Sequence, residues 1–443
     1  MGRTLIAMTS TMPDAVPHPL VVRTVPLDDL PSRSGASADP ADLLGLLPAD
    51  APLAWVRRGD GIVGWGEALR VEVAGHDRFA DAERAWQELL AHAIVRDEVD
   101  LPGTGPVAFA SFAFDEDSAA GGVLVVPRVV VGRRGARSWL TTIDTGATLR
   151  ATPTLAELAT PQPEPVRPGN VSYTDGAVRS EDWLSVVENG VAAIRAGEVD
   201  KVVLARDVYA TTSEPLDVRW PLRRLAARYP SCWTFSVDGL IGATPELLVR
   251  SEKGLVTSRV LAGTIRRTGD DDADVARAAT LAHSSKDLEE HEYAVSSVAD
   301  ALAPFCTSTN VPDVPFVLHL PNVLHLASDV TGVLAANPSS LALAAALHPT
   351  AAVCGTPTAA AARLISRIEG MERDRYAGPV GWLGADGDGE WGIALRSAHV
   401  DPQDPRRVRL FAGCGIVAAS EPSAELAESE AKLVPMRDAL GAD

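Results

Sequence analysis

Cysteine is scarce in this 443-residue chain: Cys232, Cys306, Cys354 and Cys414 stand far apart and form neither a CxxC pair nor a Cys/His metal spacing. That excludes a zinc ribbon or a disulfide framework and points to reduced thiols in a cytoplasmic setting. Basic charge is short as well. Forty Lys and Arg against 59 Asp and Glu leave a formal charge of −19, so neither nucleic acid nor an anionic membrane meets the basic face it needs. No apolar run reaches the length that crosses a bilayer. The opening MGRTLIAMTSTMPDAVPHP has one Arg and a four-residue apolar run, too short for a signal peptide, and Ile6 stands where a myristoylation site needs Ser or Thr. No GxSxG, Walker A or dinucleotide fingerprint falls in a fitting context, which leaves a covalent Ser or Cys nucleophile unsupported. His319 and His325 flank LPNVL, whose proline interrupts the strand that would put them on one face, so they do not read as a metal pair.

What the chain does have is apolar bulk, 46% of its residues, enough for two lobes or one large duplicated domain. Residues 1–20 read as a loose tail. Residues 21–153 form an α+β part, with strand-like ALRVEVAG, VAFASFAF, GVLVVPRVVVG and SWLTTI around one helical run, DAERAWQELLAHAIVRD. The Pro-rich TLAELATPQPEPVRPGN opens a linker or crossover over 154–179. From 180 to 443, hairpin-like strand pairs alternate with helices, favouring a mostly antiparallel sheet over a doubly wound parallel one.

Two helical segments in this last region carry paired acids. SSKDLEEHEYAV places Asp287 and Glu290 three residues apart, and EPSAELAESEAKL does the same with Glu425 and Glu428, so each pair shares a helix face. Two solvated amphipathic faces would explain them. If the four acids converge, repulsion and desolvation require a cation, and an all-oxygen set suits Mg²⁺.

The segments DKVVLAR, GATPELL, LAGT, KDxxEH, LHPT with GTP, YAGPVG, ALRSA, AGCGI and ESEAKL follow one another across residues 180–440. In this the chain resembles the chorismate-utilising enzymes, which include isochorismate, salicylate, anthranilate and aminodeoxychorismate synthases. The resemblance implies an α+β fold, a two-subdomain sandwich of mostly antiparallel sheets with helices packed outside. It also implies roles. Lys201 falls where water-adding members carry a lysine base, and Glu246 where they carry a general acid; taken alone, the two would read as an edge-strand lysine in solvent and a strand-end glutamate paired with Arg250. Glu290 and Glu428 match the direct Mg²⁺ ligands, with Asp287 and Glu425 as outer carboxylates.

Substrate binding is implied for Gly263, Thr264, His348, Tyr376, Leu395, Arg396, Gly413, Gly415 and Lys432. Arg396 would grip a carboxylate with two prongs, and Lys432 would reach a carboxylate or balance the acidic patch. His348, before a proline at a helix end, would otherwise be a cap or packing residue. Cys414 departs from the alanine of the AGCGI segment. Ala262 in VLAGT replaces the lysine of covalent aminodeoxychorismate synthases, and Lys201 disfavours ammonia as nucleophile. The expected activity is therefore a Mg²⁺-dependent conversion of chorismate to isochorismate by a cytoplasmic monomer, for menaquinone or siderophore synthesis. Salicylate synthase is the alternative, and a non-catalytic binding protein of the same fold a remote one.

Overall fold

Short two-residue turns organise the strands. At Arg58-Gly59, Asp238-Gly239 and Lys253-Gly254 both residues have positive φ, the backbone of a type I′ hairpin turn that matches the twist of the strands it joins. They connect Leu53–Arg57 to Asp60–Val73, Trp233–Val237 to Leu240–Thr244, and Leu247–Glu252 to Leu255–Arg266. The computed structural model describes residues 5–7, 19–28, 43–146, 153, 155–158 and 162–441.

The strands form two runs that share Gly122–Arg134. One run passes from Lys201–Thr212 through Arg407–Ile416, Ser397–Val400, Leu240–Thr244, Trp233–Val237, Leu53–Arg57 and Asp60–Val73 to that shared strand. The other leaves it through Val107–Phe112, Pro379–Gly384, Gly389–Ile393, Leu247–Glu252 and Leu255–Arg266 to Val323–Leu334. Every one of these contacts is antiparallel. The runs meet face to face across Trp55, Trp233 and Phe235 from the first and Phe109, Leu247 and Trp382 from the second. This is a mixed α+β fold built on a large, mostly antiparallel β system, with helices against it.

The helix expected over DAERAWQELLAHAIVRD ends early. It spans Arg78–Ala91, and Ile94–Asp97 is instead an edge strand, parallel to Leu20–Leu27. The β-branched pair Ile94-Val95 and a free sheet edge outweigh the continued helical pattern. Leu5–Ala7, inside the expected tail, pairs in parallel with Arg70, Val71 and Glu72. Within the expected 154–179 linker, just past its Pro-rich stretch, Val171–Asp175 is likewise a strand, paired with residues 208–212.

The two acidic segments are helices Ser285–Leu302 and Pro422–Leu440. Ser284 caps the first, its hydroxyl accepting from the Asp287 N–H at 3.3 Å. Ala294, Val295, Val298 and Leu302 bury its inner face in the main core, while His291 bonds the Ala262 carbonyl at 3.3 Å and the Ser328 hydroxyl at 2.8 Å. The second helix starts on Pro422, where a missing N–H costs nothing, and buries Ser429, Leu433, Met436 and Leu440 along one face. No helix among the described residues is long and apolar enough to cross a membrane.

Candidate active site

The strands Lys201–Thr212, Leu255–Arg266 and Arg407–Ile416 and the two acidic helices enclose a cavity of about 230 Å³. Lys201, Glu246, Gly263, Thr264, Tyr376, Leu395, Arg396, Gly413, Gly415 and Lys432 all line it, with Asp287, Glu425 and Glu428. These residues span more than half the chain and converge because the hairpins stack their strand ends there. Glu290 follows Asp287 on the same helix, but its side chain lies outside the described residues.

His348 is elsewhere. It ends the Ser340–Leu347 helix, donates from Nε2 to the Phe114 carbonyl at 2.9 Å, and sits against Phe79 and Phe114 in a separate cavity. Burial pulls its imidazole down to about 4, so it is neutral packing, the plain reading of a histidine at a helix end. The histidine in the active cavity is His325, 6% exposed. Its Nδ1 is 2.9 Å from the Thr264 hydroxyl, its Nε2 is buried without a partner among the described residues, and burial pulls it down to about 3. A neutral imidazole with one unpaired nitrogen is poised to bond a ligand.

Gly263 explains how Thr264 arrives opposite His325. The ladder to Val323–Leu334 shifts register between Ala262 and Thr264, with Gly263 at φ +78° as the extra residue, a bulge that re-aims the side chains beyond it. A Cβ on Gly263 would also stand 3.2 Å from the Asp287 Cβ. Gly413 leaves room beside the Tyr376 hydroxyl, 3.3 Å from where its Cβ would lie. Tyr376 itself stacks on Phe411 at 5.0 Å.

The electrostatics are uneven by design of the walls. Glu246 is 5% exposed, and burial pushes its carboxyl up to about 8 even though Lys201, Lys432 and Arg396 each pull it down; desolvation outweighs three cations. Arg250, the alternative partner considered for it, lies instead 3.5 Å from Glu390. Arg396, held at φ +50°, is buried with Nη1 unpartnered among the described residues, and desolvation lowers its guanidinium. A buried guanidinium with an open prong is a receptor for an anion.

The acidic wall is partly balanced already. Lys432 Nζ contacts Glu428 at 2.6 Å and donates to the Gly413 carbonyl at 2.8 Å, and although burial pushes Glu428 up, Lys432 brings it to a net lowered value. Potential ligand atoms of Cys414, Glu425 and Glu428 lie within 4.8 Å of one another. Cys414 turns toward the helix, its thiol 3.3 Å from the Glu425 carbonyl, and burial pushes that thiol up to about 12. A thiol that stays protonated leaves the carboxylate oxygens as donors, a set that fits a hard divalent cation.

Arg373 is a cavity residue that the sequence reading did not single out. It pairs with buried Glu369 through Nε to Oε1 at 2.7 Å and Nη2 to Oε2 at 2.6 Å, with no exposed edge to mark it in the sequence.

Residues 53–441 match the family model described as "Chorismate binding enzyme". The isochorismate synthase DhbC of Bacillus subtilis is 42% identical over 62% of this chain and 71% of its own length. The salicylate biosynthesis isochorismate synthase of Pseudomonas aeruginosa is 36% identical over 85% and 82%. Among solved structures, MenF, the menaquinone-specific isochorismate synthase from Escherichia coli, superposes with a TM-score of 0.76 at 25% identity, covering 97% of this chain and 96% of that one. A match of this extent, on the cavity just described, shows that the chain belongs to the chorismate-binding enzymes and is an enzyme of the isochorismate synthase family.

Proposed function

We propose that this enzyme converts chorismate to isochorismate, adding water at ring C2 and losing the C4 hydroxyl, for menaquinone or siderophore synthesis. The observation that carries the reading is Lys201 and Glu246 in one cavity, with Glu246 keeping its proton to about pH 8. An acid that stays protonated at neutral pH can donate to a departing hydroxyl. Lys201 takes a proton from the incoming water, hydroxide adds at C2, and the C4 hydroxyl leaves as water with the Glu246 proton. Solvent then returns a proton from Lys201 to Glu246, and no net atoms are gained.

Arg396, through its unpaired Nη1, holds the enolpyruvyl carboxylate, and His325 and Thr264 border the ring. Family membership implies dependence on a metal, which we assign as Mg²⁺ that Glu428 and Glu290 would hold, with Asp287 and Glu425 as outer carboxylates; it would neutralise the ring carboxylate. The remaining rate gain comes from position and fixed charge.

Pure protein with chorismate and Mg²⁺, followed by chromatography for isochorismate and by salicylate fluorescence, tests this. Isochorismate released without need of ammonia supports it. Stoichiometric salicylate and pyruvate with no added lyase would replace it with salicylate synthase, and chorismate binding without turnover would leave a binding protein.

A further inference from the structure

Two arginines line the cavity, and they are bonded differently. Arg396 keeps Nη1 unpaired among the described residues, whereas Arg373 spends its fork on protein. Besides its two contacts with Glu369, Arg373 donates from Nη1 to the Val353 carbonyl at 2.9 Å and from Nη2 to the Val203 carbonyl at 2.8 Å. Glu369 Oε2 in turn accepts from the Ala205 N–H at 2.7 Å. The pair thus grips the catalytic strand at residues 203 and 205 and the 350–354 loop at 353, where a backbone bond from Val203 N–H to the Cys354 carbonyl, 2.8 Å, already joins the two. Lys201 lies two residues before the first gripped carbonyl. Arg373 also caps the Phe114 ring at 4.2 Å and accepts at its carbonyl from the Tyr376 N–H at 2.9 Å.

Burying an ion pair this deep, with Glu369 1% and Arg373 3% exposed, stabilises a fold little better than packed apolar residues would. Its distinctive product is geometry: four hydrogen bonds fix where the Lys201 strand stands relative to the loop and to Tyr376. We propose that Glu369 and Arg373 are positioning residues for the reaction, clamping the strand so that the Lys201 amine is held at the point of water attack. The inference rests on the reading of Lys201 as the base.

Arg373→Lys keeps the charge but removes the fork, and Glu369→Gln keeps the shape but removes the charge. Each is expected to leave a cooperatively folding protein whose kcat for chorismate falls about 100-fold, the scale of a 1 Å misplacement, with KM changed less than about threefold. The decisive readout is a cycle with Lys201→Ala. If the clamp acts through Lys201, adding Arg373→Lys to Lys201→Ala lowers kcat by less than about threefold more. Multiplicative losses in the double variant, normal kcat in both single variants, or failure of both to fold would overturn the positioning role alone. Near-normal turnover of Lys201→Ala by itself would overturn the base assignment and this inference with it.

Discussion

Replacing Glu246 by Gln tests the most consequential number in the site. In the unfolded chain this carboxyl loses its proton near 4.5, and in the folded protein burial holds the proton to about pH 8. Between those values the folded state binds more protons than the unfolded one, so stability falls as pH rises through the window and the full cost is reached above pH 8. At 1.36 kcal/mol for each tenfold difference in proton affinity, that cost is at most about 5 kcal/mol. Glutamine fills the same space and has no charge to desolvate. In urea unfolding of metal-free, substrate-free protein, Glu246→Gln is expected to match wild type near pH 4.5 and to gain several kcal/mol on it by pH 8.5. Other titrating groups, such as Asp388, raised to about 6 mainly by burial, act in both proteins and cancel in the difference. The same variant should lose turnover by roughly 10²–10⁴-fold, as expected for removal of a general acid. A stability difference that does not change with pH would refute the buried-acid argument, and full activity would refute the catalytic one.

Three further substitutions probe the walls. Arg396→Lys should raise the KM for chorismate about 10- to 100-fold, because an ammonium cannot reproduce the open prong of the guanidinium; steady-state kinetics reads this directly, and an unchanged KM contradicts it. Glu428→Gln should weaken Mg²⁺ binding measured by calorimetry without stabilising the metal-free protein, since it strands the Lys432 ammonium now 2.6 Å away; a stabilised apo form would mean that the pair is not formed in solution. Gly263→Ala places a Cβ at φ +78° and 3.2 Å from Asp287, so a loss of about 1–3 kcal/mol in unfolding free energy is expected, with activity falling as the acidic helix is pushed outward.

The parts of the site that the sequence made legible were those with a local chemical signature. Strand pairs read as hairpin-like from their apolar runs, and the structure joins two of them through Asp238-Gly239 and Lys253-Gly254 with positive φ at both residues. Acids three apart on a capped helix share a face in any fold. The histidines were not legible in this way. His325 and His348 both sit in apolar runs, and only the antiparallel register that sets His325 beside Thr264 separates the cavity residue from the packing one. The Glu369–Arg373 clamp was hidden for the same reason: an i,i+4 acid–base pair looks like surface decoration until burial is known. The end of the first helix failed on a tertiary effect, the sheet edge that captures Ile94–Asp97.

Overall charge and local charge part company here. A chain of net charge −19 repels an anion at long range, yet water and salt screen that field within about 8–10 Å. Inside the cavity the balance is set by neighbours. Glu246, kept neutral by burial, adds no negative charge at pH 7, and Glu369 is committed to Arg373. Arg396 lines the same cavity as the acidic helices, while Lys432 answers Glu428. The cavity thus offers a buried guanidinium and a group of carboxylates together, which is what a dianion bridging a side-chain cation and a bound metal requires. A divalent cation held at Glu428 would add positive charge to a cavity already lined by Arg396, and a dianionic substrate would meet both at once. Metal and substrate should therefore bind with positive coupling, each tightening the other by the same factor. Calorimetric titration of Mg²⁺ with and without chorismate, on the slow Lys201→Ala variant so that substrate persists, measures that factor; equal Mg²⁺ affinities in the two titrations would mean that metal and substrate do not act together.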